Sequence, residues 1–446
     1  MLDRRTFIRN TGLATIGTWA SINSLSATTS NPIRIGIIGT GMRGRSLAGL
    51  ILKRNDCELT AFSDIDPQAI AEMNKQIEKA GSPKATAYTE DPYAYRKMLD
   101  SKFVDAVIIA TPWEWHVPMS VDALYAGKAV ACEVNGAFSI QECWDLVRAQ
   151  EQTGTPFMIL ENVCYRRDVM AILHMHRKKM FGEILHCEGG YQHDLRHVKF
   201  NDGKQAYGGG VEFGEKGFSE AKWRTPHSVH RNGDLYPTHG IGPVAMFLDL
   251  ERGNRMTYLT SMATPARGLH EYIVNKGGAD HPNAKVKFEL GDVVTTMIKT
   301  ASGATITLFH DTNLPRPYSL GFRVQGTKGI WMDVNKSIYI EGVSTYEEWE
   351  DAKKYYDTYD HPLWKKYGSD AQGAGHGGMD WFVINDFIEA LKNNTPMPLD
   401  VYDYASWAAI TPLSEQSIAL GSEPVVFPDF SNGKWMSKKN QFANKE

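Results

Sequence analysis

A run of β-branched apolar residues, Ile33 to Ile38, leads straight into Gly39-Thr40-Gly41-Met42-Arg43-Gly44, and from Met42 to Lys53 the apolar residues recur with helical period. Few folds accept a strand that turns on glycines into a helix. The glycines permit a tight turn and the close approach of a pyrophosphate, while the helix N-terminus supplies unpaired N–H groups and the positive end of a dipole. Glu58 to Ser63 reads as the next strand, and Asp64 closes it. It lies about 20 residues beyond the loop, where a carboxylate accepts from both ribose hydroxyls and repels a 2'-phosphate. Strand, loop, helix, strand and acid in that order predict a dinucleotide site that prefers NAD to NADP.

The same alternation continues with a helix over Pro67 to Lys79, a strand over Val104 to Ala110, a helix over Val117 to Ala126, and strands over Ala129 to Glu133 and Pro156 to Leu160. Ser139 and Glu142 form a capping box that opens a further helix. Repeated β-α units predict a doubly wound parallel sheet, a Rossmann domain over residues 31–165. After about residue 180 the pattern shifts to hairpins. Val293 to Thr300 and Ala304 to Phe309 alternate around a tight turn, and Gly321 to Val324 and Gly329 to Val334 form a second pair. Residues 166–446 are expected to form an α+β domain with a mostly antiparallel open sheet, whose final helices can pack back on the first domain.

With 42% hydrophobic and 22% charged residues and a formal charge of -4, the 446-residue chain has the make-up of a globular protein with no basic stripe for nucleic acid. The five cysteines, Cys57, Cys132, Cys143, Cys164 and Cys187, lack C-x-x-C spacing, so they are read as core residues, and no metal site is expected. Residues 1–30 are set apart. Arg4-Arg5-Thr6-Phe7-Ile8 precedes a moderately apolar run from Gly12 to Leu25, the pattern of a twin-arginine export signal and too short for a permanent membrane span. The expectation is a periplasmic or secreted protein that meets the twin-arginine export machinery, with no stable membrane insertion. A homo-oligomer is left open.

Thr111-Pro112-Trp113-Glu114-Trp115-His116, Ala123 to Lys128 and Cys132-Glu133 resemble the Gfo/Idh/MocA oxidoreductase family. That family usually carries Glu-Lys-Pro after this segment, with a catalytic lysine, whereas this chain has Glu133-Val134-Asn135. Glu161-Asn162-Val163-Cys164-Tyr165, Lys222-Trp223-Arg224 and Asn232 through His239 are similar to glycoside hydrolase family 109, whose best known members are NAD-dependent α-N-acetylgalactosaminidases exported by bacteria.

This second resemblance implies NAD contacts at Met42, Arg43, Asp64, Trp113, Glu114, Trp115, His116, Glu133, Val134 and Asn162, beside Gly39, Gly41 and Gly44 of the loop. It implies glycan contacts at Tyr191, Arg224, Tyr236, Pro237, Thr238, His239 and Tyr318, with His239, Tyr236 and Tyr191 as the catalytic candidates. A histidine suits proton transfer near neutral pH, and a tyrosine can relay or donate a proton. The family mechanism oxidises sugar C3, removes the C2 proton, expels the aglycone, adds water and reduces C3 again, so a tightly bound NAD is recycled. Two rivals remain at this level, a periplasmic sugar oxidoreductase and a noncatalytic protein that binds NAD or glycan.

Overall fold

The computed structural model describes residues 32–443, so the export-like segment lies outside the described residues. Six parallel strands form the first sheet: β1 (Ile33–Ile38), β2 (Cys57–Ser63), β3 (Thr86–Tyr88), β4 (Ala106–Ile109), β5 (Ala129–Cys132) and β6 (Phe157–Ile159), in the order β3-β2-β1-β4-β5-β6. Every residue of β4 and β5 is buried, as strands covered by helices on both faces require. The chain order reverses direction between β1 and β4, so a crevice opens beyond their C-terminal ends, where such sheets bind ligands.

Nine strands form the second sheet: β7 (Ile184–Gln192), β8 (Met256–Ala263), β9 (Val293–Thr300), β10 (Thr305–Asp311), β11 (Arg323–Gly326), β12 (Gly329–Met332), β13 (Ser337–Ile340), β14 (Glu350–Asp351) and β15 (Val425–Val426). Its one parallel pairing is β7 with β10; all others are antiparallel. Burial alternates along β9, with one face covered and the other open. The two hairpins expected from the sequence are present, with ends shifted by one or two residues. The central strand β7 was not foreseen, because Glu188-Gly189-Gly190 breaks its apolar pattern.

Those glycines have a packing reason. The helix Thr238–Phe247 lies across β7 so closely that a Cβ on Gly240 would sit 2.6 Å from the backbone nitrogen of Gly190. A Cβ on Gly189 would in turn come 2.6 Å from the Gly240 carbonyl oxygen. Backbone therefore meets backbone, and the neighbours of these glycines, Tyr191 and His239, are drawn together. The late helices return to the first sheet. Met379–Asn393 packs against the turn Asn162–Tyr165 and the helix Met42–Ile51, and Val401–Ala408 packs against β6 and the helix Ile140–Thr153.

Gly240→Ala must push this helix off β7. It is expected to cost about 1–3 kcal/mol of stability in denaturant unfolding and to displace Tyr191 and His239 while leaving the glycine loop, which lies on the other sheet, in place.

Candidate active site

One cleft of about 960 Å3 runs from the glycine loop to the foot of the helix Thr238–Phe247. At its first end Gly39 has φ +87°, and a Cβ there would strike the Ala110 carbonyl at 2.7 Å. Gly44 sits so tightly under the loop that a Cβ would lie 1.9 Å from the Gly39 oxygen. Gly41, the helix N-cap, faces open space, and no side chain caps the helix. The first-turn N–H groups thus lack intrahelical and capping partners and open onto space an anion can fill. Asp64 accepts from the backbone N–H and hydroxyl of Thr40 and from the Asp66 N–H, which fixes its carboxylate beside the loop. These features fit a dinucleotide.

The loop's arginine is also held. Arg43 donates Nε–H to Glu133 at 2.7 Å and a two-pronged pair to Asp380 at 2.6 and 3.0 Å. Asn162 donates to the same Asp380 at 2.7 Å. Met42 is exposed at the cleft edge. Trp113, Glu114, Trp115 and Val134 line the wall. Both ring nitrogens of His116 face carbonyls, Asn135 O at 2.7 Å and Thr111 O at 2.8 Å. Burial lowers the pKa of this ring while the two carbonyls pull it up, and both nitrogens stay turned to the loop. His116 shapes the wall and offers no free nitrogen to the cleft.

At the far end His239 turns Nδ1 to both oxygens of fully buried Glu161, each at 2.9 Å. A carboxylate only accepts, so Nδ1 carries a proton, and Nε2 is the nitrogen turned away from Glu161. The His239 ring lies 5.4 Å from Tyr191 and 5.0 Å from Tyr236, and the two tyrosine rings are 4.4 Å apart. Burial raises both phenol pKa values, with the Arg224 charge opposing it, so both stay protonated donors. Arg224 is itself clamped, with Glu220 at 2.7 Å and its guanidinium carbon 4.8 Å above Trp113 and 5.2 Å above Tyr236.

The cleft therefore brings together Tyr191, Arg224, Tyr236 and His239 with the dinucleotide loop. Pro237 and Thr238 do not line it: Pro237 is the N-cap of the helix and Thr238 is fully buried in its first turn. Tyr318 is half exposed outside the lining, with its ring 4.8 Å from His193 and 6.4 Å from Tyr191. Glu161, Asp380 and Glu220 were not assigned from the sequence. Glu161 stands inside a motif already singled out, and Glu220 lies one helical turn before Arg224, so local spacing could have found both. Nothing local marks Asp380.

Residues 165–437 match the model of the glycosyl hydrolase 109 C-terminal domain, and residues 33–160 match the oxidoreductase family NAD-binding Rossmann fold. A glycosyl hydrolase family 109 protein from Stenotrophomonas maltophilia is 56% identical over 92% of this chain and 92% of its own. The chain belongs to glycoside hydrolase family 109. A Tannerella forsythia relative named alpha-N-acetylgalactosaminidase is 51% identical over 92% of this chain and 89% of its own. Levoglucosan dehydrogenase in complex with NADH and levoglucosan shares the fold at a TM-score of 0.64 and 18% identity, covering 90% of this chain and 100% of that one. In this family 109 enzyme, Val134 stands where the oxidoreductases' expected lysine would be, buried and without a proton to give.

Asp64→Ala is expected to weaken NAD binding about 10-fold to 100-fold, the loss of charged hydrogen bonds worth about 1.5–3 kcal/mol. Calorimetric titration of cofactor-stripped protein measures it, and circular dichroism should show the fold kept.

Proposed function

We propose that the protein removes terminal α-N-acetylgalactosamine, or a closely related sugar, from glycans, and that it does so on a captive NAD. The observation that carries this reading is His239: Glu161 holds its Nδ1, and the ring lines the cleft onto which the glycine loop opens. A relative named for this activity, at 51% identity, supports the choice of substrate. When bound, NAD would supply a hydride acceptor for sugar C3, whose hydroxyl proton passes to solvent, and both would return when C3 is reduced again.

The chain's own groups act around that exchange. Gly39, Gly41, Asp64, Arg43, Glu133 and Asn162 would hold the dinucleotide. His239 Nε2 takes the proton from C2, which a C3 ketone makes acidic, and the Glu161 carboxylate stabilises the imidazolium that forms. The aglycone then leaves C1 with the electron pair of the broken C–O bond and takes its proton from the water that enters. Tyr191, whose phenol stays protonated, donates a hydrogen bond to the sugar oxygens, and Tyr236 packs against it. Arg224, pinned by Glu220, presents fixed donors to hydroxyls or to the acetamido oxygen. Water adds at C1 and His239 returns a proton to C2, so the net reaction is hydrolysis. Because the cofactor ends as it began, such an enzyme can work after twin-arginine export, where free NAD is scarce.

Turnover of an aryl α-N-acetylgalactosaminide in heavy water should place deuterium at C2 of the released sugar, read by mass spectrometry or NMR. Product without deuterium at C2 excludes this route, and steady NADH formation from a free sugar would make the protein an oxidoreductase instead. His239→Ala should lower the rate about 100-fold to 10,000-fold while NAD stays bound through gel filtration.

A further inference from the structure

The segment Gly373-Ala374-Gly375-His376-Gly377-Gly378 reaches the cleft from the C-terminal part of the chain, and it runs directly into Asp380 at the start of the helix Met379–Asn393. Asp380 is fully buried. Its Oδ1 accepts from Arg43 Nη2 at 3.0 Å and Asn162 Nδ2 at 2.7 Å, and its Oδ2 accepts from Arg43 Nη1 at 2.6 Å and His376 Nδ1 at 2.8 Å. Four donors from three separate stretches of chain therefore converge on one carboxylate. Two of them, Arg43 and Asn162, belong to the cofactor end of the cleft, and Arg43 carries the link on to Glu133.

A carboxylate removed from water this completely is tolerated only because it is paired and fully hydrogen-bonded. Burial pushes its pKa up, yet the His376 hydrogen bond and the Arg43 charge hold it below the usual carboxylate range. Another contact that reaches the loop from the second part of the chain is weaker. Tyr207 Oη approaches Met42 Sδ at 3.8 Å, and both residues are exposed. The charged cluster at Arg43 is thus the stronger tie across the mouth.

We propose that Asp380 is the positioning residue of the cofactor site, and that His376 on its glycine-rich segment latches it and so sets how slowly the dinucleotide leaves. Asp380 acts through Arg43 and Asn162, which it orients. His376 lies at the rim of the cleft with its side chain 56% exposed, so swinging its ring away breaks the hydrogen bond to Asp380 while Ala374 and Gly378 keep the segment anchored. This rests on the captive-cofactor reading above, and the test separates the two.

Wild-type, Asp380→Asn, Asp380→Glu and His376→Ala proteins are purified with bound NAD, and exchange against isotopically labelled NAD is followed by mass spectrometry. Asp380→Asn should release NAD about tenfold faster or more, the loss of a charge-assisted hydrogen bond converted at a decade per 1.4 kcal/mol. Asp380→Glu should recover part of the retention, and His376→Ala should speed release severalfold while the melting temperature of the cofactor-free protein stays at the wild-type value. Wild-type release from Asp380→Asn, or from His376→Ala should Asp380→Asn fail to fold, overturns the proposal. Release that rises only in step with lost stability of the cofactor-free protein also overturns it. Free exchange in the wild-type protein refutes only the captive reading, and the same comparison is then made on titrated affinities, with the same tenfold criterion.

Discussion

The contact on which the site depends is between two backbones, Gly240 of the helix Thr238–Phe247 against Gly189 and Gly190 of β7. Because no Cβ keeps helix and strand apart, the residues beside these glycines are brought close together. His239 comes within 5.4 Å of Tyr191, ring to ring, and the same helix start delivers Tyr236. Glu161, from the loop after β6, then reaches His239 from the first sheet. The cluster of His239, Glu161, Tyr191 and Tyr236 is therefore assembled at the seam of the two sheets.

Electrostatics divides the cleft into two ends with different tasks. At the dinucleotide end the charges are tied to one another: Arg43 lies between Glu133 and Asp380, and the Glu133 and Asp380 charges outweigh the burial that would lower its pKa. At the sugar end Tyr191 and Tyr236 stay protonated, and Arg224 has one side bound to Glu220 and its face against aromatic rings. Beside these tyrosines His239 has one nitrogen committed to Glu161 and one uncommitted. This arrangement suits a site that moves a proton at carbon while its cofactor stays put.

Local order made the first half of the chain legible. A strand, three glycines, a helix and an acid lie within about thirty residues, and each is read by a short-range rule of turn, cap or burial. The hairpin from Val293 to Asp311 was legible for the same reason. The strand β7 was not, because the glycines that weaken its pattern are there for a helix some fifty residues later. His116 looked like a cofactor contact in its motif, yet its nitrogens are taken by two carbonyls that only the folded loop supplies.

By itself, the sequence determined the dinucleotide fold, since strand, glycine loop, helix and acid are contiguous and their physics is local, while the family and the residues expected at the cleft were read from a resemblance of motifs. Tertiary structure decided which groups make those residues work. Glu161 stands 78 positions before His239, and Asp380 stands 337 positions after Arg43. Pairing over such separations leaves no period or spacing to read, because it is created by the packing of one sheet's helices against the other sheet and not by any stretch of chain.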